Sequence, residues 1–103
     1  MIAVALAFSV TGPAKAHPDW KRVAECETHS RWNWGALHRP GEGNLFEGGL
    51  GFAASTWRLW AGQLHILRSY PHAFDAPPKV QVRVAEYGWE RGGYWGCLRG
   101  IRA

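Results

Sequence analysis

The chain has 103 residues, 47% of them hydrophobic, with a formal charge of +4 and seven tryptophans. That length supports a single domain and excludes a multidomain assembly. A basic surface suits acidic polymers such as nucleic acid, anionic lipid or cell-wall material, but the twelve Lys and Arg are scattered, with no run of five, which argues against a nucleic-acid patch.

Ile2 to Val10 is a short apolar run, broken by Thr11-Gly12-Pro13 and followed by Ala14-Lys15-Ala16, which puts small residues just before His17. This pattern reads as a secretory signal peptide over residues 1–16, although no Lys or Arg precedes the apolar run. The run is too short to span a bilayer. The alternative is an apolar segment that stays attached as an anchor or tail. Residues 17–103 then form the domain, which is small for a self-sufficient core. Two cysteines, Cys26 and Cys97, read as one disulfide in an exported chain. Such a bridge closes a loop of roughly 70 residues and is worth roughly 4 kcal/mol. Two free buried thiols or a metal site are the alternatives. Cys26 and His29 have the spacing of half a zinc site, but no second pair matches it.

Asp19 is placed to cap a helix running from Trp20 to about Thr28. Trp20, Val23, Ala24 and Glu27 recur at i, i+3, i+4 and i+7, one apolar face, with Glu25 on another side. An acid on such a face is partly withdrawn from water, which disfavours the charged form. A carboxyl that keeps its proton is what a general acid needs. The plainer alternative is a solvated Glu27 at the helix end. The Trp-rich stretch Ser30 to Gly35 is too short to assign, and His38 to Asn44 is a loop by its Pro and Gly content. Leu45 to Phe52 suggests a short irregular strand or β-turn around Gly48-Gly49, where glycines let the backbone approach a ligand.

A second helix is expected from Ser55-Thr56, with Ser55 as its cap and its end at Tyr70-Pro71. Its core stripe is Trp57, Trp60, Ala61, Leu64 and Leu67. After the turn Asp75-Ala76-Pro77-Pro78, a third helix runs from Lys79 to about Arg91, with Val80, Val84 and Tyr87 on one face and Gly88 weakening its last turns. Gly92 to Cys97 is a glycine–aromatic tail. The tryptophans are expected to divide between core anchors and exposed faces that stack on sugar rings or bases.

Taken in order, these pieces resemble the transglycosylase-like domain of resuscitation-promoting factors, secreted actinobacterial cell-wall enzymes with a lysozyme-like fold. The family pattern opens with a Trp, then Cys-Glu and Asn-Trp, matched by Trp20, Cys26-Glu27 and Asn33-Trp34. Gly-Gly-Leu-Gln-Phe and Thr-Trp follow, matched by Gly48 to Phe52 and by Thr56-Trp57. The last piece is Val84-Ala85-Glu86, Gly88-Trp89, Trp95 and a closing Cys97. The match covers about Trp20 to Arg99. It implies an α+β fold: a small, mainly helical lysozyme-like domain with a short β segment and a Cys26–Cys97 disulfide. It also implies Glu27 as the catalytic acid and a substrate cleft lined by Thr56 and Trp57; Trp34, Phe52 and Trp95 are further candidate substrate-binding residues. Four departures stand out. The segment from Glu27 to Gly48 is several residues longer than in the family pattern. Gly51 replaces the family glutamine, Ala53 replaces a polar residue, and Thr28-His29-Ser30 replaces Ser-Gly-Gly after the Cys-Glu pair.

The implied reaction is cleavage of the β-1,4 bond between N-acetylmuramic acid and N-acetylglucosamine in peptidoglycan. A hydrolase then needs a second carboxylate, for which Glu47 is the nearest candidate, ahead of Asp75, Glu42 and Glu86; Glu86 is expected instead in a surface ion pair. Without a second acid, Glu27 acts alone as acid and base in lytic transglycosylase chemistry, the reading favoured here. The competing class is a wall-glycan-binding module without catalysis. A single-strand nucleic-acid binder is disfavoured by the expected export and disulfide. His29 is the histidine nearest the proposed acid and is expected either to reach the cleft or to be solvated. The expected partners are peptidoglycan glycan strands and other cell-wall hydrolases, with no nucleic acid, no stable membrane insertion, no metal and no cofactor. The expected state is a secreted monomer at the cell wall.

Overall fold

The structure, a computed structural model, describes residues 16–36 and 46–100. The expected leader apart from Ala16, the Pro-Gly loop at 38–44 and Glu42 lie outside those residues.

Helix α1 spans Trp20–Thr28. Asp19 caps it, its side chain accepting from the Arg22 N–H at 3.4 Å. Trp20, Val23, Ala24 and Thr28 are buried, while Glu25 is exposed. The helix stops because His29 and Ser30 both turn left-handed (φ 57° and 61°), and their N–H groups satisfy the carbonyls of Glu25 and Ala24. These two positions are the ones where the related pattern carries its Gly-Gly pair.

The β segment is a two-stranded antiparallel hairpin, β1 Phe46–Glu47 and β2 Phe52–Ala53, with Phe46 opposite Ala53 and Glu47 opposite Phe52. The turn between them uses Gly48 and Gly51 at φ 78° and 68°, where glycine carries no Cβ penalty. Gly49 is needed for another reason. A Cβ there would lie 2.6 Å from Trp32 Cδ2, so the hairpin turn packs directly against that indole.

Helix α2 spans Ala54–Gln63, and two expectations are corrected here. Ser55 is not the cap: Ala53 is, with no side-chain bond, and Ser55 sits inside the first turn. The helix also ends well before Tyr70. His65 adopts φ 62°, its N–H reaching the Gly62 carbonyl and that of Ile66 reaching Ala61, which is a Schellman closure without glycine. Leu64 and Leu67 still pack against the core, but from a turn. A short 3-10 turn at Ala73–Asp75 precedes α3, Pro78–Trp89, which begins on a proline whose missing N–H costs a helix nothing. Gln81, Val84, Ala85 and Gly88 form its buried face. A final 3-10 segment, Gly96–Gly100, packs against α1.

Helix α2 packs on α3 and on β2 around Leu50, Phe52, Trp57, Ala61, Val84 and Ala85. Trp20, Phe52, Trp57, Trp60 and Trp95 interlock mostly edge to face; the Trp20 and Trp95 centroids are 4.9 Å apart and those of Phe52 and Trp57 5.1 Å. Trp20, Trp57 and Trp95 are buried; Trp32, Trp34, Trp60 and Trp89 are half-buried, so each of those four serves core and surface together. Cys26 and Cys97 form the disulfide, Cα atoms 6.0 Å apart, and it joins the last turn of α1 to the segment after α3. The thiol and zinc alternatives fall with it. The fold is the expected small, mainly helical α+β arrangement.

Candidate active site

A cavity of about 530 Å³ opens where α1, the hairpin, α2 and the post-α3 segment meet. Each contributes through its own periodicity. The last turn of α1 supplies Glu27 and Thr28, and the hairpin supplies Phe46, Gly51, Phe52 and Ala53. Thr56 and Trp60, one helical turn apart, face in from α2, while the chain after α3 adds Tyr94, Trp95 and Gly96. Trp34 completes the described wall. Glu27 is the one carboxylate among these residues.

The carboxylate of Glu27 is half-buried, and its Oε2 accepts the backbone N–H of Cys97 at 3.2 Å. Its Oε1 faces Gly51, where a Cβ would stand 3.4 Å away. A longer side chain at position 51 would therefore begin beside the acid. The turn that carries Glu27 is fixed from behind. The Thr28 hydroxyl donates to the Gly49 carbonyl at 2.8 Å, the shortest of its three acceptor contacts, and accepts from the Arg31 N–H at 3.1 Å. Gly49 N–H in turn donates to Gln81 Oε1 at 2.8 Å. Gln81 Nε2 donates to the carbonyls of Trp32 and Ala76 at 2.8 and 2.9 Å. A fully buried amide thus links α3, the hairpin turn and the turn after α1, with donors and acceptor all used.

Of the residues singled out from the sequence, Glu27, Trp34, Phe52, Thr56 and Trp95 come together around this cavity, and Trp57 and Glu47 do not. Trp57 is 0% exposed and its indole N–H donates to the Tyr70 carbonyl at 2.8 Å. It shares its side of α2 with buried Ala61, whereas Thr56 and Trp60 take the cavity side. Glu47 alternates with Phe46 in β1, so the two point to opposite faces. Phe46 takes the cavity; Glu47 is buried, with Oε1 accepting from Ala73 N–H and Oε2 meeting His72 Nδ1, both at 3.0 Å. Among the lesser carboxylates, Asp75 caps the turn at His72, and Glu86 lies 3.3 Å from His17 on the surface. His29 is exposed and serves as the left-handed residue that ends α1.

Sequence pattern did not single out Thr28, Phe46, Trp60 or Tyr94 for the cavity. The helical spacing of Trp60 from Thr56 was available as a signal, as was the alternation of Phe46 with Glu47. A second groove, of about 840 Å³, runs between the starts of α1 and α3. Its carboxylates are Asp19, committed to capping, and Glu25. Among the described residues, no group of three or more His, Cys, Asp or Glu could hold a metal ion, and no helix is long and apolar enough to cross a membrane.

A small helical domain with a β hairpin and a carboxylate, Glu27, in an aromatic-walled cleft is lysozyme-like in class. The chain belongs to the transglycosylase-like domain family, whose profile matches residues 14–97. It is 38% identical over 88 residues to resuscitation-promoting factor Rpf1 of Corynebacterium glutamicum, covering 82% of this chain and 40% of that protein. It is 33% identical over 84 residues to resuscitation-promoting factor Rpf of Micrococcus luteus, covering 82% of this chain and 32% of that protein. The chain therefore spans less than half the length of either relative. No solved structure matches it.

Proposed function

We propose that the chain cleaves the β-1,4 bond between N-acetylmuramic acid and N-acetylglucosamine in peptidoglycan, using Glu27 as both acid and base. The observation that carries this reading is the single carboxylate among the described residues of the cavity, held by the Cys97 N–H on one oxygen and open toward Gly51 on the other. The protonated carboxyl of Glu27 gives its proton to the glycosidic oxygen as the bond to the muramyl C1 breaks. The resulting carboxylate then takes the proton of the muramyl 6-hydroxyl, whose oxygen closes on C1 to form an anhydro ring. Water takes no part, so no second carboxylate is required. The engagement of Glu47 with Ala73 and His72 supports this route over hydrolysis.

In the same reading the chain is exported, a leader is removed after Ala16, and residues 17–103 act at the cell wall as a monomer alongside other wall hydrolases. The packing of the domain's first residue on α3 is consistent with that boundary: His17 lies between Glu86 and Glu90.

Digestion of purified peptidoglycan by oxidised protein, beside Glu27→Gln, with mass spectrometry of the released fragments, tests the proposal. Anhydro-muropeptides from the parent, reduced at least ~100-fold in the variant, are expected. Reducing-end products would replace the route with hydrolysis. A folded protein that pulls down with the wall and releases nothing would replace the enzyme with a binding module.

A further inference from the structure

Three large apolar side chains are exposed among the described residues: Phe46 at 52%, Leu59 at 55% and Tyr94 at 63%. Two of these, Phe46 and Tyr94, line the Glu27 cavity. Their neighbours in the wall, Phe52, Trp60 and Trp95, spend their ring faces and edges on one another. Phe46 and Tyr94 pair with no aromatic ring among the described residues, and the Tyr94 hydroxyl has no hydrogen-bond partner there. The other described aromatics are buried or half-buried, while these two rings are left mostly in water at the cavity, where a ligand would cover them.

Tyr94 is exposed on a backbone that is well fixed. The Gly93 N–H donates to the Gly88 carbonyl at 2.8 Å, Trp95 is buried in the aromatic cluster, and Cys97 is bonded to Cys26. Phe46 is likewise held by the hairpin register opposite Ala53. Rings on fixed backbone lose little freedom when something stacks on them, which favours binding. Half of the described residues lining the cavity carry aromatic rings and one, Glu27, is charged, so the cavity fits a neutral ring with apolar faces and polar edges: a pyranose.

We propose that Tyr94 and Phe46 are stacking platforms for sugar rings of the bound glycan, with the Tyr94 hydroxyl available to a sugar hydroxyl, and that Tyr94 sets substrate affinity without taking part in bond cleavage. This deepens the glycan-cleaving reading above and rests on it for the identity of the ligand.

The test measures binding of a soluble β-1,4-linked N-acetylglucosamine tetramer by tryptophan fluorescence, and peptidoglycan turnover in parallel. Tyr94→Ala should weaken tetramer binding about tenfold and raise KM similarly with kcat unchanged. Tyr94→Trp should restore both. The urea midpoint should not move, since the side chain is exposed. Wild-type affinity in a folded Tyr94→Ala protein overturns the proposal, as does failure of the parent to bind the tetramer. A parent that binds the tetramer through Tyr94 but releases nothing from the wall would sink the cleavage reading and leave the platform standing. Normal cleavage with unchanged KM in Tyr94→Ala would do the reverse.

Discussion

Gly88→Ala separates local propensity from packing by the sign of its effect. In a helix interior, alanine is better than glycine by about 1 kcal/mol, so the sequence of α3 alone predicts a more stable protein. The structure predicts the opposite. A Cβ at position 88 would overlap the Cζ3, Cε3 and Cη2 atoms of Trp60. That indole has little room to move, because Phe52 and Trp95 flank it with centroids 6.4 and 6.0 Å away. It also borders Gly93, whose own Cβ would stand 2.6 Å from Cη2. Overpacking of this kind costs about 1–3 kcal/mol, and overlap with a rigid ring belongs at the upper end. Subtracting the propensity gain leaves a net loss of about 2 kcal/mol. Urea unfolding of the oxidised protein, followed by circular dichroism, should show a lower midpoint at unchanged slope. Trp60 also lines the cavity, so tetramer binding should weaken in the same variant. An alanine variant as stable as its parent, or more so, would refute the argument.

Two further outcomes follow from the scaffold behind the acid. Gln81→Leu keeps the volume but strands the Gly49 N–H and the carbonyls of Trp32 and Ala76; a loss of about 3 kcal/mol is expected in chemical denaturation, and under 1 kcal/mol would show that the amide is not a hub. His29→Gly and Ser30→Gly each relieve a left-handed residue that carries a Cβ and should each raise stability by about 1 kcal/mol; a fall in either midpoint would contradict the left-handed turn.

The start of α1 was legible because cap and periodicity agreed: Asp19 precedes a helix whose apolar face recurs on schedule. The end of α2 was not, because the apolar stripe continues through Leu67 past a left-handed His65, and a non-glycine residue in that conformation leaves no mark in the sequence. The place of Glu27 at the cavity was legible from the Cys26-Glu27 pair of the family pattern, whereas helical spacing alone left a solvated helix end open. The split between Trp57 and Trp60 was hidden, because a core stripe does not say which of its members also borders a cleft. Gln81 and Thr28 were invisible for another reason. Their burial is made possible by backbone groups 32, 49 and 21 residues away, and no local pattern encodes such partners.

Cys97 does two things at one position: its sulfur closes the bridge to Cys26, and its N–H seats Glu27 Oε2. Covalent closure and alignment of the carboxylate are therefore the same event. In a reduced chain, residues 94–97 would rest against α1 through non-covalent contacts alone, and the donor to Glu27 would be only as well placed as those contacts allow. Pairing of the two thiols thus also sets the donor that seats the Glu27 carboxylate. It ties completion of the cleft to whichever compartment first lets the two thiols pair.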